Sequence, residues 1–184
     1  MNAVKPTVAE ITWQCGFNSQ SHLGKTFRDV TSPTPGIYRN RSAIRGYGPD
    51  SEYWSQIIRT AAWRYTLIGC TCVLIARPDD RFEDLLYRFE RGSFVSPQLS
   101  IAMGMVYPKS AIESLNSFLD RNSREGAGQK ELISAQSVLR ALGTPCSNPL
   151  RADSLQSRAR QDAEFVEQLI EKQWAFWTRY HREQ

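Results

Sequence analysis

Apolar positions recur at helical spacing from one end of the chain to the other. Val8, Ile11 and Cys15 fall on one face, then Leu23, Phe27 and Val30, then Trp54, Ile57, Ile58 and Ala61. Trp63 to Ala76 is apolar almost throughout, which predicts a helix central to the fold. Pro78-Asp79-Asp80 reads as the start of a helix carrying Phe82, Leu85, Leu86 and Phe89. Ser96-Pro97 opens another through Met105, and Pro108-Lys109-Ser110 opens one carrying Ile112, Leu115, Phe118 and Leu119. Residues 153–181 place Leu155, Ala159, Ala163, Val166, Leu169, Ile170, Trp174 and Trp177 on a single long stripe. Such a helix suits either a cap across the others or pairing with another copy. Trp174, Phe176, Trp177 and Tyr180 cluster near its end, as core or as a partner site. The pattern as a whole predicts an all-α fold.

Part of that pattern repeats at an offset of 30 residues. Pro78 matches Pro108, Phe82 matches Ile112, Glu83 matches Glu113 and Leu85 matches Leu115. Phe89 then matches Leu119, Glu90 matches Asp120 and Arg91 matches Arg121. Each unit reads as an apolar helix, a proline-containing turn and an amphipathic helix ending in acid-Arg. A weaker third copy has residues 135–142 as its first helix and Thr144-Pro145 as its turn. Two to three helical hairpins of this length resemble HEAT-like repeats, whose units need neighbours to bury their faces. An ordinary helical bundle with shared turn chemistry is the alternative.

Near the start, Thr7 and Glu10 have the spacing of a capping box, and Gly16 is placed to end a first short helix. Asn18 or Ser19 then starts a second. Two helices joined by a short glycine-containing turn form the helix-turn-helix pattern. Residues 7–39 carry Val8-Ala9-x-Ile11, Gly16-Phe17, Ser19-x-Ser21-His22-Leu23, Phe27 and Thr34-Pro35-x-x-Tyr38-Arg39. This stretch resembles the second helix-turn-helix of AraC/XylS-type transcription regulators. The family joins two such units through a long helix, whereas only six residues precede the match here. The resemblance implies that residues 19–30 lie in the major groove of double-stranded DNA. Base contacts would come from Gln20, Ser21, His22 and Lys25, since Gln pairs with adenine and Lys reaches guanine. Thr26, Arg28 and Arg39 would hold phosphates, which fix register without reading sequence.

Glycines and proline in residues 40–52 break the periodicity. The core of that stretch, 46–52, reads as a linker between a partial helix-turn-helix unit (1–45) and an all-helical domain (53–184). Charge divides at the same place. Residues 1–45 hold six basic side chains against two acidic ones, leaving 17 of each sign, from totals of 23 and 19, in the other 139 residues. A positive surplus confined to one segment is the electrostatic footprint expected of a phosphate-binding piece. No apolar run approaches the roughly 20 residues of a membrane span. No signal-peptide pattern opens the chain either, so a cytoplasmic location is expected.

Catalytic signatures are absent from the sequence. Asp79-Asp80 and Glu83-Asp84 are paired carboxylates, but at a helix N-terminus the dipole accounts for them. Cys70-x-Cys72 lacks the spacer of a zinc or redox pair. Cys15, Cys70, Cys72 and Cys146 are therefore expected to be reduced thiols, with no metal and no cofactor. The expectation is a non-enzymatic, DNA-binding transcription regulator whose helical part senses, forms a homodimer or docks a protein partner. In the alternative, the helix-turn-helix is vestigial and the helical part is a protein-interaction scaffold.

Overall fold

Helices that are buried on every side need neighbours on every side, and the architecture is built around three of them. The computed structural model describes residues 7–14, 17–31, 51–122, 129–146 and 157–182. Among these the chain forms helices only: α1 (Val8–Gln14), α2 (Gln20–Thr31), α3 (Ser51–Arg59), α4 (Trp63–Ala76), α5 (Phe82–Glu90), α6 (Ser96–Val106), α7 (Pro108–Asn122), α8 (Gln129–Ala141) and α9 (Ser157–Arg182). The all-α expectation holds for every described residue. Sequence readings that fall on Cys15, Gly16, residues 32–50, 123–128 and 147–156, and on the side chains of Val30 and Ala159, lie outside the described set.

The middle layer is α4, α6 and α8, packed in that order. On one side lie the amphipathic helices α3, α5 and α7, and on the other α2 and α9, with α1 against both of these. Coverage from both sides explains why residues 66–74 of α4 are all buried, and why α6 buries Leu99, Ile101, Ala102 and Met103 alike. One hydrophobic core runs through the three layers, from Ile11 to Tyr180.

The hairpins are real, but their frame differs from the one the repeat suggested. Close packing joins α3 with α4, α5 with α6 and α7 with α8, so each unit is an amphipathic helix followed by a helix of the buried middle layer. The matched positions keep equivalent environments. Leu85 and Leu115 are fully buried, as are Phe89 and Leu119, and the acid-Arg ends meet where Arg121 pairs with Glu90 at 2.6 Å. The matched prolines do not keep equivalent places. Pro108 begins α7, whereas Pro78 lies in a turn ahead of Phe82, the first residue of α5. That turn is held by the Tyr107 hydroxyl, which donates to the Pro78 carbonyl and accepts from the Arg81 N–H at 3.2 Å. Burial pushes the Tyr107 pKa up to about 12.

Glu83 and Asp84 lie in the first turn of α5, where the dipole favours them, and Asp84 has specific partners besides. Asp84 is buried and takes the Arg59 Nε at 2.6 Å, the Ser55 hydroxyl at 2.7 Å and the Arg81 guanidinium at 3.2 Å. Arg81 reaches Asp80 with a second nitrogen at 2.6 Å. These carboxylates join α3 to α5; removing one partner would leave a buried charge uncompensated. A second buried carboxylate, Glu131 of α8, accepts from the Ser93 N–H at 3.1 Å and the Ser96 hydroxyl at 2.5 Å, at the N-terminus of α6.

Two glycines set the spacing of the layers. A Cβ on Gly69 would stand 2.6 Å from Ile58 Cγ1, and one on Gly104 2.6 Å from Val138 Cγ1 and 3.1 Å from the Trp174 ring. Helix α3 ends at Arg59, leaving Ala61 exposed beyond it, although its spacing had put it on the stripe. Along α9 the stripe runs as expected through Val166, Ile170 and Trp177, with Gln173 buried beside it. Phe176, Trp177 and Tyr180 are core side chains, and their edge-on ring contacts at 5.1 and 5.3 Å are internal. Burial of these three favours the core reading of the cluster, while Trp174, its fourth member, is half-buried.

Candidate nucleic-acid interface

Both helices of the N-terminal pair are set by local chemistry before any tertiary contact. The Thr7 hydroxyl accepts from the Glu10 N–H at 3.2 Å, and Glu10 Oε2 takes the Thr7 N–H at 2.7 Å, completing the capping box of α1. That bond from the Thr7 backbone, then its hydroxyl, holds the Glu10 carboxyl below its ordinary range; Arg179 adds to it. Ser19 caps α2: its Oγ accepts from the His22 N–H at 3.1 Å and its carbonyl from the Leu23 N–H at 3.0 Å.

Leu23 and Phe27 are the fully buried side chains of α2, and with Ile11 and Phe17 they fill the space beneath it. Helix α2 rests on α4, and α1 on α9. The opposite face is polar. Gln20, Ser21, Lys25, Arg28 and Asp29 are exposed, and His22 and Thr26 are half-buried. Ser21 and Lys25 therefore stand together on the first two turns, open to a ligand, with Gln20 exposed at the start of the helix.

The other named residues are placed differently. The His22 ring meets Phe17 edge-on at 5.5 Å, so it is partly a packing residue. The Thr26 hydroxyl donates to the His22 carbonyl at 2.9 Å, a bond within the helix that competes with any phosphate. Arg28 Nε reaches the Gly24 carbonyl at 3.4 Å while its guanidinium remains exposed. Arg39 lies outside the described residues.

Two neighbours escaped the sequence reading. Asp29 adds a carboxylate to the outward face, one turn from Lys25. Trp13 of α1 is 71% exposed, next to the turn into α2. Its signal was available, because Trp13 lies off the Val8–Ile11 stripe and within α1 has only the small Ala9 as an apolar neighbour at helical spacing. Nothing is strained by Gly24, in the middle of α2: a Cβ there would meet no atom within 4 Å.

Elsewhere, Cys70 and Cys72 are buried on α4, and Cys146 is half-buried, its thiol pushed up by burial. Among the described residues no three His, Cys, Asp or Glu side chains stand together as a metal site. None of the described helices is long and apolar enough to cross a membrane. Comparison with protein-family models, with curated proteins and with solved structures finds no match to this chain.

Proposed function

We propose that the chain is a non-enzymatic, cytoplasmic DNA-binding regulator of transcription, with α2 as its major-groove helix and the helical layers as its association module. The observation that carries this is one helix with two characters. Leu23 and Phe27 are fully buried, the opposite face presents Ser21 and Lys25, and Gln20 is exposed at the first position of the helix, all in the register of the AraC-like motif. A recognition helix contributes only when it is held rigidly, and seating α2 on the buried helix α4 supplies that support. Gln20 and Lys25 are the side chains able to read base edges, each good pair being worth about 1–3 kcal/mol of discrimination. Arg28 serves phosphates, with Trp13 at the edge of the contact. Asp29 opposes phosphate on its side of the helix and so limits the ways the duplex can lie.

The test is selection from a pool of random duplexes by the full chain and by the Gln20→Ala, Lys25→Ala variant. Both side chains are exposed, so the fold tolerates the change. The wild type should enrich a short motif that the variant fails to enrich. Recovery of unbiased sequence by both would remove base reading by α2.

A second reading, a protein-interaction scaffold without DNA, is favoured by a specific feature of the helical layers. Phe94 and Phe165 stand exposed beside one groove.

A further inference from the structure

Four large hydrophobic side chains are exposed among the described residues, and two of them, Phe94 (72%) and Phe165 (67%), flank the same groove. The groove, about 480 Å³, opens between the N-terminal ends of α4, α6 and α8 and the first half of α9. Its floor is apolar, with Leu67, Ile133 and Val166. Trp63 extends the aromatic wall, its ring 5.6 Å from that of Phe94.

The rim carries one charge of each sign, Lys130 and Asp162. The Lys130 ammonium sits 4.7 Å over the Phe94 ring and 3.4 Å from the Phe94 carbonyl, and among the described residues it meets no carboxylate. Asp162 is exposed and pairs with no cation among the described residues. An aromatic groove whose rim holds one cation and one anion, neither spent on the other, is complementary to itself.

We infer that this groove is the seat of a symmetric homodimer. In a two-fold pair, Phe165 of each copy enters the groove beside Phe94 of the other. Lys130 then meets Asp162 of the partner subunit, and the same pairing occurs a second time by symmetry. Charge does not oppose the approach, because the positive surplus lies in residues 1–45 and the other 139 residues sum to zero. At no more than about 150 Å² each, the four phenylalanines of a pair supply at most half of the ~1,200 Å² at which stable interfaces begin, so the surrounding rim and floor must be covered as well. The inference rests on the reading of the helical layers as the association module and not on DNA binding by α2, so the two fail separately.

Sedimentation velocity on the full chain without DNA, over a wide concentration range, tests it. The wild type should be a dimer that dissociates on dilution, and Phe165→Ala should weaken it about thirtyfold or more, as loss of a central aromatic anchor does. Lys130→Glu and Asp162→Lys should each dissociate the dimer, and the double reversal should restore it. Circular dichroism of each variant controls for folding; these positions are on the rim, so helix content should not change. A wild type that is monomeric throughout overturns the inference. So does a dimer indifferent to Phe165→Ala and to both charge reversals, since it would then associate elsewhere.

Discussion

Helices α2 and α6 are of nearly equal length, 12 and 11 residues, and differ in what covers them. Helix α6 lies between α5 and α7 on one side and α9 on the other, and is flanked by α4 and α8. Among the described residues, helix α2 is covered on one side alone. The first is apolar all round; the second divides into Leu23 and Phe27 inward and Ser21, Lys25, Arg28 and Asp29 outward. The number of covered faces therefore accounts for composition. A glycine in the middle of each helix makes the contrast concrete. Gly104 is there because two other helices press against it, whereas the space beside Gly24 is open.

The largest expected effect is at the covered helix. Gly104→Ala forces a Cβ against Val138 and Trp174, and should destabilise the fold by about 1–3 kcal/mol, read from the midpoint of urea unfolding. Unchanged stability would mean that α6, α8 and α9 are not packed as described. The same substitution at Gly24 should act with the opposite sign. Alanine there meets no atom and removes a helix-interior glycine, for a gain of up to about 1 kcal/mol. Loss of stability at Gly24 would show that something covers the outward side of α2.

The smallest effect concerns the join between α9 and α4. His181 Nε2 lies 2.8 Å from the Leu74 carbonyl, near the C-terminus of α4. Burial lowers the His181 pKa below its ordinary 6.5, and Arg77 adds to this, against the raising effect of the bond to Leu74. A depressed folded value means that protonation favours the unfolded chain. The contribution is thus fully present above about pH 6.5 and lost as pH falls through the folded value. Urea midpoints measured from neutral to mildly acidic pH should decline more for the wild type than for His181→Gln, whose amide can still donate to Leu74. Parallel declines would assign the pH dependence to other groups.

Much of this was legible in the chain, and what was not has physical causes. The buried stripes of α2, α3, α5, α7 and α9 follow from periodicity, because each is covered on one side. The capping box and the Ser19 cap follow from side-chain chemistry within three residues. The pairing of helices was not legible, since an apolar helix such as α4 or α6 has no polar face to say which neighbour it takes. Pro78 and Pro108 look alike in sequence, and the Tyr107 hydroxyl, 29 residues from Pro78, makes them different. Asp84 reads as a helix-start carboxylate until Arg59 and Arg81 close around it. At the interface, exposure of Ser21 and Lys25 followed from the wheel, while the His22–Phe17 contact and the Trp13 surface needed the fold.

The central claim is that the open face of α2 meets DNA. Its most direct test is a duplex-binding titration of the full chain at two salt concentrations, beside Lys25→Ala. Affinity should fall steeply with salt, and the variant should bind more weakly, with a log–log slope lower by about one if Lys25 displaces a counterion. Absence of binding by the wild type even at low salt would contradict the account, and the helical layers would then be the working part of the chain.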